Sequence, residues 1–174
     1  MTDRLERAAV VLRGVAVATA FVALWVWLAF LVRRYDPVLG SSLPSWLRPL
    51  GWVLLVAGGA IAASCVAMFV TRGRGTPAPF DPPRVFVAGG PYRYVRNPMY
   101  VGAVLSLLGG GLVAASPAIV LLAGGFWLLA HALVLFYEEP ALERRFGAAY
   151  SHYRSQVNRW LPRIPPPSSP LPPA

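Results

Sequence analysis

Lysine is missing altogether. All 16 basic residues are arginine, set against seven acidic ones for a formal charge of +9, and this bias points to a GC-rich, bacterial source. Charged residues make up only 13% of the 174, where a soluble domain carries roughly a quarter. The single cysteine, Cys65, excludes an internal disulfide and any multi-cysteine metal site. Only two histidines occur, His131 and His152, and they lack the spacing of zinc ligands. No Gly-x-Gly-x-x-Gly fingerprint, Walker-type Gly-Lys-Ser/Thr or Gly-x-Ser-x-Gly elbow is found. A Rossmann unit, a P-loop and an α/β-hydrolase nucleophile are thereby set aside.

Apolar residues fill the space, at 56% of the chain. A soluble fold of this size has no interior large enough for them, so lipid must act as part of the solvent. An all-α integral membrane protein with about four transmembrane helices is expected. Residues 14–32 form an uncharged run of 19 with Trp25 and Trp27 inside it. Arg4, Arg7 and Arg13 precede it as in a signal peptide, but its apolar core is too long. Arg33 and Arg34 also follow where small residues should mark cleavage, so it reads as a retained span. Residues 49–71 make a second uncharged run, whose Gly58 and Gly59 permit close helix approach.

Residues 72–97 carry five arginines and five prolines, which forbid a long helix. From Asn97 to Tyr137 no charge appears over 41 positions, twice the length of one span. Ser116 and Pro117 at its middle predict a tight hairpin of spans over 98–115 and 117–137. After Glu138 and Glu139 the apolar residues Leu142, Phe146, Ala149, Tyr150, Tyr153 and Val157 recur every three or four positions. That spacing predicts an amphipathic helix over 138–160, lying along the headgroup layer or capping the bundle. Residues 164–174 read as a disordered proline-rich tail, after a single domain over 1–163.

Four spans with both ends on one side place 13 arginines on that side and three on the other. By the positive-inside rule both termini and the 72–97 loop are cytoplasmic, and the chain sits in a bacterial inner membrane. The arginines lie between apolar spans rather than along one soluble face. That favours anionic lipid headgroups over nucleic acid.

Candidate chemistry collects at the ends of the hairpin. Two adjacent carboxylates at a span boundary repel each other and are costly to bury without partners. Arms of similar length bring residues 96–100 to the level of 137–139, so a contact of Arg93 or Arg96 with the Glu138–Glu139 pair is expected, either structural or as the polar floor of a site. His131, about two turns inside the last span, reads as a packing residue.

Two stretches carry a resemblance. Residues 75–84 read Gly-Thr-Pro-Ala-Pro-Phe-Asp-Pro-Pro-Arg. Residues 87–102 read Val-Ala-Gly-Gly-Pro-Tyr-Arg-Tyr-Val-Arg-Asn-Pro-Met-Tyr-Val-Gly. Then come Glu138, Glu139, Leu142, Phe146, Gly147, Tyr150, Tyr153, Val157, Asn158, Arg159 and Pro162. Over 72–163 the chain resembles the isoprenylcysteine carboxyl methyltransferase and phospholipid methyltransferase superfamily. The resemblance implies an enzyme that uses S-adenosylmethionine and methylates a lipid or other apolar acceptor. Carried over by position, cofactor contacts fall on Arg84, Val85, Phe86, Val87, Tyr92, Asn97, Pro98, Met99, Tyr100 and Glu138. Arg96 and Glu139 are the candidates for catalysis; no metal is implied. Tyrosine faces and carbonyls suit a sulfonium, carboxylates suit ribose hydroxyls, and an arginine suits a carboxylate.

The departures narrow the acceptor. The family's Arg-His-Pro is Arg96, Asn97, Pro98 here, so position 97 hydrogen-bonds but does not titrate. Val-Pro-Arg becomes Val157, Asn158, Arg159. Members that methylate prenylated cysteine place an arginine four residues before the first glutamate; that position is Val134, which points away from a prenylcysteine acceptor. Two other readings stay open: a non-catalytic membrane protein binding a lipid or partner, and a membrane NADPH-dependent reductase.

Overall fold

Long uninterrupted apolar runs leave helix as the backbone's solution, because a bilayer offers no water to unpaired amides and carbonyls. The structure, a computed structural model, describes residues 2–40, 42–68 and 89–164, with side chains from residue 11 onward. Among the described residues it is helical without strands: α1 (Thr2–Val32), α2 (Arg48–Met68), α3 (Pro98–Val113), α4 (Pro117–Leu133), α5 (Glu139–Phe146) and α6 (Ala148–Gln156).

Three stretches are long and apolar enough to cross a membrane: Val11–Tyr35, Ser45–Met68 and Pro117–Phe146. The fourth, α3, has 16 residues, about 24 Å at 1.5 Å per residue, short of the roughly 30 Å of a hydrocarbon core. The protein is an integral membrane protein. The expected count of four spans is not confirmed: three helices are long enough to cross, and α3 is a shorter apolar one. The amphipathic helix expected over 138–160 is two helices. Gly147 at φ +50° breaks it, a backbone region that glycine enters without a Cβ clash.

The chain packs as two compact units. One comprises Phe21–Ala62 and Met99–Ala132. In it α2 and α3 lie backbone to backbone. A Cβ on Gly58 would fall 2.5 Å from the Gly102 carbonyl oxygen, and one on Gly109 would fall 2.5 Å from the Leu55 nitrogen. The two glycines on each helix, 51 and 58 against 102 and 109, are seven apart, so both pairs recur on one face. An aromatic group packs around Phe126, with the rings of Trp25 at 4.5 Å, Phe21 at 6.1 Å and Tyr100 at 6.2 Å. The α3–α4 turn is clamped by Asp36, whose Oδ1 accepts from Ser116 Oγ at 2.9 Å and from the Ala118 amide at 3.0 Å. Ser116 is fully buried. The clamp places a carboxylate at the positive end of α4 and satisfies an amide that the helix leaves open.

The other unit comprises Met1–Ala20, Ala63–Pro98 and Leu133–Ala174. Tyr150, Tyr153 and Val157 form its buried centre, with Leu142 and Phe146 against them. Before α5 the chain widens into a π turn, Val134–Glu138, in which the Glu139 amide donates to the Val134 carbonyl five residues back. Pro140 follows, with no amide to continue the α ladder and a ring that would meet the carbonyl four residues before it. The turn decides which glutamate faces inward. Phe126, Ala130 and Val134 are buried at intervals of four, and an unbroken α-helix would give Glu138 the next inward place. The extra residue hands it to Glu139, which is 6% exposed; Glu138 is half-buried.

Candidate functional site: an arginine–glutamate clasp

Buried Glu139 meets two guanidinium groups. Arg159 grips it bidentately, Nε to Oε1 and Nη2 to Oε2, both at 2.8 Å. Arg96 stands on the same carboxylate, with Nη1 2.9 Å from Oε1. This second approach is an ion pair without hydrogen-bond alignment: among the described residues neither Nη1 nor Nε of Arg96 has an acceptor in line. The Arg96 side chain is 10% exposed, and it also hydrogen-bonds the Tyr150 phenol.

Backbone bonds hold the two motifs in register. The Arg96 amide donates to the Asn158 carbonyl at 2.9 Å, and the Arg163 amide donates to the Tyr94 carbonyl at 2.8 Å. Asn97 Nδ2 donates to the Arg159 carbonyl at 3.2 Å, and the Tyr153 hydroxyl donates to the Tyr92 carbonyl at 2.7 Å. The segment after α6 is thus stitched to residues 92–97 before any side-chain ion pair is counted.

The neighbouring phenols are held neutral. Burial pushes Tyr92 well above its ordinary value, and the Cys65 thiol, Tyr153 and Glu138 add to the shift. Burial likewise raises Tyr153, against the opposing charge of Arg96. Tyr150 is raised by burial and by Glu139, with Arg96 again opposing. Arg159 is raised by its hydrogen bond to Glu139, which keeps the guanidinium charged. The result is a low-dielectric patch with fixed positive groups, one carboxylate paired with two guanidinium groups, and proton-bearing hydroxyls.

Of the residues singled out from sequence, Tyr92, Arg96, Asn97, Pro98, Glu138 and Glu139 lie in this unit. Met99 and Tyr100 belong to the other unit, where Tyr100 packs by Phe126. Arg84, Val85, Phe86 and Val87 lie outside the described residues. His131 stacks on Trp127 at 5.5 Å. Sequence reasoning missed Arg159 as a site residue, along with Tyr150 and Tyr153. Their signal was present in the second motif but was absorbed there as helix packing and a cap.

Residues 47–149 match the phospholipid methyltransferase family. The chain belongs to that family. Among curated proteins no match is found. The fold is similar to that of the eukaryotic intramembrane Ras methyltransferase, isoprenylcysteine carboxyl methyltransferase. The TM-score is 0.56 at 22% identity, over 84% of this chain and 53% of that one. This family member therefore spans about half the length of the solved structure it matches. The match covers α2 to the start of α6, which includes Arg96, Glu138 and Glu139 but stops before Arg159.

Proposed function

We propose that the chain is an S-adenosylmethionine-dependent methyltransferase acting on a lipid or other apolar small molecule at the inner face of a bacterial membrane. Family membership makes methyl transfer the reaction class. The observation that carries the reading further is the clasp, which binds the first motif (92–97) to the second (138–159) in one compact unit. We take residues 1–163 as the methyltransferase domain, with both termini cytoplasmic on the strength of the arginine asymmetry.

S-adenosylmethionine, when bound, supplies an electrophilic methyl group on a sulfonium. Held by Tyr92 and Glu138, it would supply that methyl group for an in-line displacement by the acceptor's lone pair and would be left as a neutral thioether. A proton carried by the acceptor leaves to water or a nearby base. The protein's task is placement and exclusion of water rather than acid–base work. Neutral Tyr92 and the carbonyls of 92–97 suit a cation, and the half-buried carboxylate of Glu138 suits ribose hydroxyls or an amine. Asn97 and Pro98 shape the start of α3, and Met99, Tyr100, Arg84, Val85, Phe86 and Val87 are assigned to the cofactor by motif position alone. Glu139, paired with both Arg159 and Arg96, acts as a positioning residue for the two arginines.

Purified protein incubated with methyl-labelled cofactor and a total bacterial lipid extract should transfer label into the organic phase. Label confined to water, with the cofactor unconsumed, overturns the reading.

A further inference from the structure

The chain beyond α6 is tied down at both ends of a short run. Arg159 is held by the Glu139 carboxylate at 2.8 Å, and the Arg163 amide donates to the Tyr94 carbonyl at 2.8 Å. Glu139 stands two residues past Tyr137, where the uncharged run from Asn97 ends, and Tyr94 stands just before α3 begins at Pro98. Both ties therefore sit where the apolar helices reach the headgroup layer. Four residue steps separate them, about 14 Å at full stretch. The run cannot rise far from that level.

Between and just beyond the ties, apolar side chains are uncovered. Leu161 is 74% exposed and Ile164 79%, while Tyr94, under the second tie, is 42% exposed. The exposed apolar residues of α1 and α2 lie on spans, where acyl chains cover them, but Leu161 and Ile164 lie outside every span. A single exposed leucine is ordinary. Apolar residues gathered by backbone bonds at a bilayer boundary make a surface that lipid covers.

The charges around this edge have one sign. Arg93, Arg144, Arg145, Arg154 and Arg163 are exposed. Among the described residues only Arg154 of these five has a carboxylate partner, Glu143 at 3.1 Å. Glu139 is taken by Arg96 and Arg159. Arg163 spends Nη1 on the Gln156 carbonyl at 2.8 Å, which steadies the side chain and leaves most of a five-donor fork for a phosphate. A zwitterionic bilayer gives such a surface no net attraction; an anionic one does.

We infer that residues 160–164, with Arg93 and Tyr94, form a docking edge for an anionic bilayer surface. Leu161 and Ile164 enter the boundary between headgroups and acyl chains, and Arg93 and Arg163 engage lipid phosphates. The lipid at this edge is bulk bilayer and is not methylated, so the inference is independent of the methyltransferase reading. Leu161 stands two residues from Arg159, so docking also braces the clasp from outside.

The test places the full chain, carrying Cys65→Ser and a bimane label on Leu161→Cys, in nanodiscs of phosphatidylcholine with or without phosphatidylglycerol. Quenching by a doxyl group on the acyl chain of either lipid is read. The label should be quenched in both bilayers, and doxyl-phosphatidylglycerol should quench more strongly at equal mole fraction. The expected local enrichment is about fivefold for each arginine engaged. High salt, or Arg93→Gln together with Arg163→Gln, should abolish that difference. A label that no acyl quencher reaches overturns the docking edge, whether water or a second copy of the chain covers it. Equal quenching by the two lipids, unchanged in the double variant, overturns the anionic preference. Should the labelled protein fail to fold, hydrogen exchange of wild type decides. Amides of 158–164 that exchange severalfold more slowly with phosphatidylglycerol present support the edge, and equal rates in the two bilayers overturn it.

Discussion

Arg159 holds both oxygens of Glu139 at 2.8 Å across 20 residues of sequence. Removing Arg159 takes two aligned charge-assisted hydrogen bonds from the buried carboxylate and leaves it with Arg96 alone, at a cost of about 3 kcal/mol. Arg159→Gln should therefore lower the thermal unfolding midpoint in detergent by about 10 °C. Arg159→Lys, which keeps the charge but not the fork, should recover only part of that. An unchanged midpoint for both variants would show that the clasp contributes nothing to folding.

The glycine contacts between α2 and α3 yield a paired test. Gly58→Leu drives a side chain into the Gly102 carbonyl and Ser106, whereas Gly59 has nothing within 4 Å of a built Cβ. The first should destabilise by more than about 2 kcal/mol, comparable with overpacked cores, and the second should be tolerated. Equal midpoints would remove the close α2–α3 approach.

Asp36 reaches 80 residues along the chain to Ser116. Asp36→Ala leaves the Ala118 amide and the buried Ser116 hydroxyl without their acceptor, and should cost about 1–2 kcal/mol. Faster hydrogen exchange at the first turn of α4, measured by mass spectrometry, is the expected sign. Unchanged protection there would contradict the clamp.

Alkaline pH should unfold the protein through its phenols. Tyr92, Tyr150 and Tyr153 are all raised above the ordinary 10.0 of tyrosine. Above pH 10 the unfolded chain releases these protons while the folded one retains them, so stability is intact below that pH and falls as pH rises further. Tyr153→Phe should flatten this fall and, by losing the bond to the Tyr92 carbonyl, lower stability by about 1 kcal/mol at neutral pH. Absorbance of phenolate at 295 nm followed against unfolding reads both. Tyrosines that titrate near 10 in the folded protein would contradict their burial.

How much of this was legible follows from the range of each interaction. The apolar runs gave the helices, because length and absence of charge act locally; α3 came out short because the chain turns at 114–116 after only 16 helical residues. The closeness that Gly58 permits was readable, but not that its partner is Gly102, since spacing within one helix says nothing of the facing one. An arginine–glutamate contact at this level was expected from hairpin geometry, and it is present as Arg96–Glu139 at 2.9 Å. The exchange of Glu138 for Glu139 on the inward face was not readable. It depends on a π turn whose only sequence mark is Pro140, and proline more often ends a helix than widens it. Arg159 escaped because its partner is 20 positions away in a helical region where the periodic pattern pointed to packing. Gly147 sits inside that same pattern, which hid the break it makes between α5 and α6.

The most direct measurement is equilibrium binding of radiolabelled S-adenosylmethionine to the purified full chain in detergent, with NADPH as the rival ligand. Saturable binding at one site per chain is expected, displaced by S-adenosylhomocysteine and indifferent to NADPH. No saturable uptake of the sulfonium compound, with NADPH bound in its place, would contradict the proposed chemistry.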